Sequence, residues 1–266
     1  MKLNASPTYI DLCERNKAIG LQVRDFILNV PNAKEESITD YLVWQWRLLD
    51  SRFRYIRVKT FTRQEENTST GADFELELWV VGKTKFLPLL FQAKKFLKPF
   101  DSYQQKLNYP NNKQKQLATL LAYASTKGLL PFYAIYTVGG MAHPLCNGRS
   151  DLETGVYMID AQTIKDFANG KYGKKLPLTS LIARSNPFHC MFCCPITVKQ
   201  EYFSRYFNML ASGGWDRINE DMPHYARKLL SVEQPSAGEV SAPELWPDGG
   251  EPPVRVIGVY DLRDED

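Results

Sequence analysis

The chain predicts an α/β (α+β) fold in which a mixed central β-sheet is flanked by helices. Three observations predict it. The periodicity runs in the order helix, helix, three strands, helix, two strands. The segment Phe86 to Ala93 is almost continuously apolar, as a strand covered on both faces should be. The composition, 44% hydrophobic and 24% charged over 266 residues, suits a soluble globular protein with one sizeable core, or one core with an appended small unit.

Each element has its own signal. Ser6-Pro7 is a helix start, and the helix it opens runs to about Asn29, where Pro31 stops it. A second helix starts near Glu35, with Ile38, Tyr41, Leu42, Leu48 and Leu49 at helical spacing and Gln45 interrupting them. Tyr55 to Thr62 reads as a strand, with Ile56, Val58 and Thr60 alternating with Arg57 and Lys59. After a polar loop, Asp73 to Val81 alternates again: Phe74, Leu76 and Leu78 against Asp73, Glu75 and Glu77. Gly82-Lys83 turns the chain into Phe86–Ala93. A helix follows from about Lys113 to Ser125, with Leu117, Leu120, Leu121 and Ala124 on one face. Leu130 to Val138 and Gly155 to Ile159 are strands, and helices are expected near 161–169 and 198–211. Residues 231–252 are rich in Pro, Gly, Ser and Glu and read as a linker or loop. Val254 to Tyr260 reads as a last strand before an acidic tail.

Charge and cysteine content narrow the function classes. The formal net charge is +3, so nucleic-acid contact would have to come from a local basic patch rather than a polycationic surface. Such a patch follows Lys94: Lys95, Lys98, Lys106, Lys113 and Lys115, with Phe96, Phe100, Tyr103 and Tyr109 interleaved. Met1 to Ser6 lacks the apolar run of a secretory leader, and no stretch suits a membrane span, so the expectation is a cytoplasmic protein. Cysteines stand at 13, 146, 190, 193 and 194, a crowding that suits reduced thiols or a metal site better than a disulfide framework. No glycine-rich phosphate loop is present.

The residues with chemical meaning are Asp73, Gln92 and Lys94. Residues i and i+2 of a strand share a face, so Gln92 and Lys94 converge at the end of an apolar strand, and Asp73 can meet them across an antiparallel pair. Polar groups at the end of a buried strand need partners, which a metal and a phosphate would supply. In this order the residues resemble the PD-(D/E)XK, restriction endonuclease-like nuclease superfamily. Its motif is an acid near the start of one strand, then an acid or Gln, any residue, and Lys at the end of the next; here it reads Asp73, then Gln92-Ala93-Lys94. The family adds a Glu from the helix before the sheet, matched by Glu36, with Glu35 as the alternative. Many members carry a Gln and a Tyr on the helix after the Lys strand, matched by Gln116 and Tyr123. Where the family usually has an acid this chain has Gln92, and Glu75 is a further carboxylate on the Asp73 strand. The order is also similar to that of uncharacterised bacterial proteins.

The resemblance covers residues 35–160, within a nuclease-like domain of residues 1–230. It implies a nuclease that hydrolyses phosphodiester bonds with Mg2+ or Mn2+, held by Glu36, Asp73 and Gln92, with Lys94 beside the reacting phosphate. The implied partner is nucleic acid, double-stranded DNA first, with no membrane; a bacterial anti-phage defence role, a homodimer and an activating partner protein all fit. The alternative is a catalytically silent nucleic-acid-binding module, or a zinc-stabilised interaction module, on the same fold. His189-Cys190 and Cys193-Cys194 look like half a zinc site, with Cys190, Cys193 and Cys194 as its ligands. No second pair completes it, and Phe188, Met191 and Phe192 favour a packed structural segment instead.

Overall fold

The computed structural model describes residues 9–53, 56–60, 74–81, 86–97, 110–111, 114–138, 154–173, 178–189, 222–231, 254–261 and 263. Two helices come first, α1 (Tyr9–Asn29) and α2 (Glu35–Phe53). Strands β1 (Ile56–Thr60), β2 (Phe74–Val81) and β3 (Phe86–Lys95) follow. A two-strand pair, β4 (Pro110–Asn111) and β5 (Gln114–Lys115), leads into α3 (Gln116–Lys127) and β6 (Leu130–Tyr136). Then come β7 (Val156–Asp160), α4 (Ala161–Ala168), α5 (Leu178–Ile182), β8 (Asn186–Pro187), α6 (His224–Leu230) and β9 (Val254–Asp261). The expected helix over 198–211 and the linker beyond Ser231 lie outside the described residues.

The fold is mixed α+β. Seven strands form one sheet in the order β1-β9-β2-β3-β6-β7-β8. The β2–β9 and β3–β6 pairs are parallel; the other neighbours are antiparallel. β3 is the central strand, which explains its apolar run. Helix α3 carries the chain from β3 to the parallel β6, the kind of connection a parallel pair requires.

Helices cover both faces. Leu76, Leu78, Leu89, Phe91 and Ala134 pack against Ile38, Leu42 and Trp46 of α2 and against Val23 and Ile27 of α1. On the other face Trp79, Leu90, Tyr133 and Ile135 pack against Leu117 and Leu120 of α3 and Ile164 and Phe167 of α4. The buried face of α2 differs from its sequence reading: Val43 and Trp46 belong to it, whereas Leu48 is 50% exposed. Crowding by bulky apolar residues on α2 leaves more than one stripe to choose from, and the β-sheet selects the one that contains Trp46.

Two local devices set the helices in place. Asp160 ends β7 and caps α4: its carboxylate accepts from Thr163 N at 2.8 Å and from Thr163 Oγ1 at 2.6 Å. Gly155 lets α1 close on the start of β7. Its N–H donates to Gly20 O at 2.8 Å, and a Cβ there would stand 2.3 Å from Arg24 N. Among the described residues no helix is long and apolar enough to cross a membrane.

The last strand is internal. β9 lies between β1 and β2 and pairs with both, so the chain's C-terminal segment is built into the sheet beside the strand that follows Asp73.

Candidate active site

Alternation along β3 sorts its last residues. Phe91 and Ala93 pack on the α2 side, Leu90 and Phe96 on the α3 side. Gln92 and Lys94 therefore share the α3 face. Lys94 Nζ donates to Gln116 Oε1, at the first residue of α3, over 2.8 Å. Gln92 is buried, 6% exposed.

Lys95 points the other way. Its ammonium donates to Pro31 O and Ala33 O, both at 2.6 Å, and so ties the α1–α2 connection to the end of β3. Lys95 is half-buried with its ammonium bonded to these two carbonyls, and Phe96 is buried, so neither is free to join the basic, aromatic surface expected after Lys94. Lys98, Lys106 and Lys113 lie outside the described residues. The backbone N–H of Lys95 donates to Glu35 Oε1 at 3.2 Å. Glu36, the next residue and the expected metal ligand, is partly buried in the first turn of α2.

The turn that holds Glu36 meets β9 through Arg255. Nη2 of Arg255 donates to Glu36 O at 2.9 Å, Nη1 to Asp40 Oδ1 at 2.8 Å, and Nε to Glu75 Oε1 at 3.0 Å. The ladder of β2 and β9 pairs Phe74 with Val254 and Leu76 with Val256, skipping the residues between. Phe74 and Val254 pack on the α3 side, Leu76 and Val256 on the α2 side. Alternation thus breaks at Glu75 and Arg255, and both turn towards α2. Burial works against the Arg255 charge, but Glu75 and Asp40 outweigh it and hold the guanidinium above its ordinary range.

The model of one family matches residues 12–259, nearly the whole chain. The chain belongs to the DUF6615 family. DUF6615 is described as a family of unknown function. No curated protein and no solved structure matches the chain.

In this DUF6615 chain Lys94 of β3 meets Gln116 of α3, and Gln92 lies two residues before Lys94 on the same strand. Glu36 sits one layer away, in the α2 turn held at the same end of β3. Tyr123 lies two turns along α3 from Gln116 and packs at a tilt against Phe74, with ring centroids 5.1 Å apart and planes at 46°. Asp73, Cys190, Cys193 and Cys194 lie outside the described residues, and His189 is buried.

Two groups escaped the sequence reading. Arg255 is far from the motif in sequence, and only the sheet order brings it near. Glu77 was expected on one strand face with Asp73 and Glu75; instead it faces α6, opposite Glu75. It is 1% exposed and accepts from Trp79 Nε1 at 2.6 Å and from Tyr225 Oη at 2.5 Å. An alternating acid normally marks a solvated face, but here helices cover both faces, so the pattern misleads.

Burial pushes the Glu77 carboxyl above its ordinary value of 4.5, and the bonds from Tyr225 and Trp79 and the charge of Lys127 reverse this only in part. The same burial, with Glu77 beside them, pushes up the hydroxyls of Tyr225 and Tyr123. A carboxyl raised in the folded state holds its proton longer there than in the unfolded chain. Its contribution to stability is therefore greatest below 4.5 and declines as pH rises towards the folded value. Glu77→Gln, which keeps an oxygen acceptor, is expected to gain stability relative to the parent as pH rises through that window. Urea denaturation of both proteins at several pH values from 4.5 to 8 reads this directly; a difference independent of pH would contradict it.

Proposed function

We propose that this protein is a metal-dependent nuclease of the PD-(D/E)XK type that hydrolyses phosphodiester bonds, in double-stranded DNA first, within the cytoplasm. The observation that carries the reading is the hydrogen bond between Lys94 and Gln116, 22 residues apart in sequence, at the end of the central strand that also carries Gln92. The amide oxygen of Gln116 takes one of the three ammonium donors of Lys94 and so helps to orient it at that end of the strand.

The donor set fits a hard cation. Glu36, Asp73 and the carbonyl oxygen of Gln92 are oxygen ligands, as Mg2+ and Mn2+ prefer. When bound, the cation supplies Lewis acidity towards the phosphate and makes water more acidic. The chain's own groups do the rest. Lys94 orients the attacking water and stabilises the charge that grows on the phosphate oxygens. Gln116 holds the Lys94 ammonium in place through its Oε1. Lysines of the segment after Lys94 hold the phosphate backbone, which gives affinity without sequence reading.

Purified protein incubated with plasmid, linear DNA and RNA is expected to cleave with Mg2+ or Mn2+ and to stop when EDTA is added. Robust cleavage in EDTA would overturn the proposed mechanism.

A further inference from the structure

We propose that Arg255 is a positioning residue, whose guanidinium holds the α2 turn carrying Glu36 in the place from which Glu36 takes up a divalent cation. This inference rests on the nuclease reading above. Arg255 spans three elements. It belongs to β9, its Nε and Nη2 meet Glu75 Oε1 of β2 at 3.0 and 2.9 Å, and its other contacts are on α2. Glu75 is buried and set in a central part of the sheet, so it anchors the guanidinium. From that anchor Nη2 reaches the main chain of Glu36, and Nη1 reaches Asp40 one turn later.

The bond to Glu36 goes to its carbonyl oxygen, which leaves the carboxylate to other partners. The same turn is tied a second time, by the bond from Lys95 N to Glu35 Oε1. Strands β9 and β3 therefore grip the first turn of α2 from two sides. A metal ligand works only if its own support is rigid, and removing a group that orients a ligand typically weakens metal affinity about 10- to 100-fold. A charge pair needed for packing alone could be replaced by apolar side chains. An apolar pair offers no donors, and lysine presents its three from a single nitrogen, whereas Arg255 reaches Glu75, Asp40 and the Glu36 carbonyl from three separate nitrogens of a planar fork.

The test uses the full chain and two variants. Arg255→Lys keeps the charge beside Glu75. The double variant Glu75→Met with Arg255→Met removes both charges, so that neither is left buried alone. Thermal or urea unfolding first establishes which variants fold cooperatively. Mn2+ affinity is then measured by titration calorimetry, and amide hydrogen exchange is followed over residues 38–40 without metal. Folded variants are expected to bind Mn2+ about tenfold more weakly or worse, and to exchange faster in that turn. Equal Mn2+ affinity and equal exchange in a folded variant would overturn the positioning role while leaving the nuclease reading in place. A parent protein that binds no Mn2+ at all would overturn both, and its own titration tells the two failures apart.

Discussion

Lys94→Ala is expected to abolish cleavage of nucleic acid while leaving the fold and most of the binding affinity intact. Lys94 stands near the end of β3, where the strand has passed from its buried middle to its partly exposed last residues. Its side chain reaches α3 through a hydrogen bond to Gln116. Truncation there opens no cavity in either apolar core, so the stability cost should be small. The catalytic cost should be large, because in the proposed mechanism the ammonium acts where charge develops at the reacting phosphate. Removal of such a stabiliser typically lowers the rate by about 10²–10³. On the proposed reading, binding rests on phosphate contacts spread over many lysines, each weakened by salt. Replacing Lys98, Lys106 and Lys113 together is expected to do the reverse, lowering affinity and flattening its salt dependence. Cleavage and binding measured side by side separate the cases; Lys94→Ala that cuts at the parental rate would remove Lys94 from the mechanism.

Deletion of residues 254–266 is expected to leave no cooperatively folded protein. β9 pairs with β1 on one side and β2 on the other, so its loss detaches β1 from the sheet and strips β2 of a partner. Val254, Val256, Ile257, Val259 and Tyr260 are each at most 1% exposed. A fully buried side chain of this size contributes roughly 1.5–3 kcal/mol. Five of them are of the same order as the whole net stability of a domain, about 5–15 kcal/mol. The deletion also removes Arg255 and leaves the buried Glu75 carboxylate without it. Circular dichroism with urea titration checks this. A single cooperative transition at the parental midpoint would show that β9 is dispensable.

The sequence made the elements legible where a local pattern sufficed. The apolar run of Phe86–Ala93 announced a central strand, and β3 is the fourth of seven. The i, i+2 spacing of Gln92 and Lys94 announced a shared face, and they share it. Gln116 was expected on the following helix and meets Lys94 there. What depends on long-range pairing was not legible. Nothing in Val254–Tyr260 says that it inserts between β1 and β2, because strand order is decided by non-local pairing rather than by the segment itself. Arg255 stayed hidden for the same reason. Glu75 and Glu77 were read as one polar face, yet the break in alternation beside Arg255 sends Glu75 to α2 and leaves Glu77 under α6. Leu48 and Trp44 show the converse: apolar residues on α2 that the sheet does not use, left about half exposed.

The most direct measurement is the anomalous scattering of Mn2+ in crystals of the full chain grown or soaked with the ion. The expected result is a peak bounded by the carbonyl oxygen of Gln92 and the carboxylates of Glu36 and Asp73, absent from crystals of Asp73→Asn treated in the same way. Crystals saturated with Mn2+ that show no peak beside Gln92, or that place the ion away from Lys94, would contradict the account.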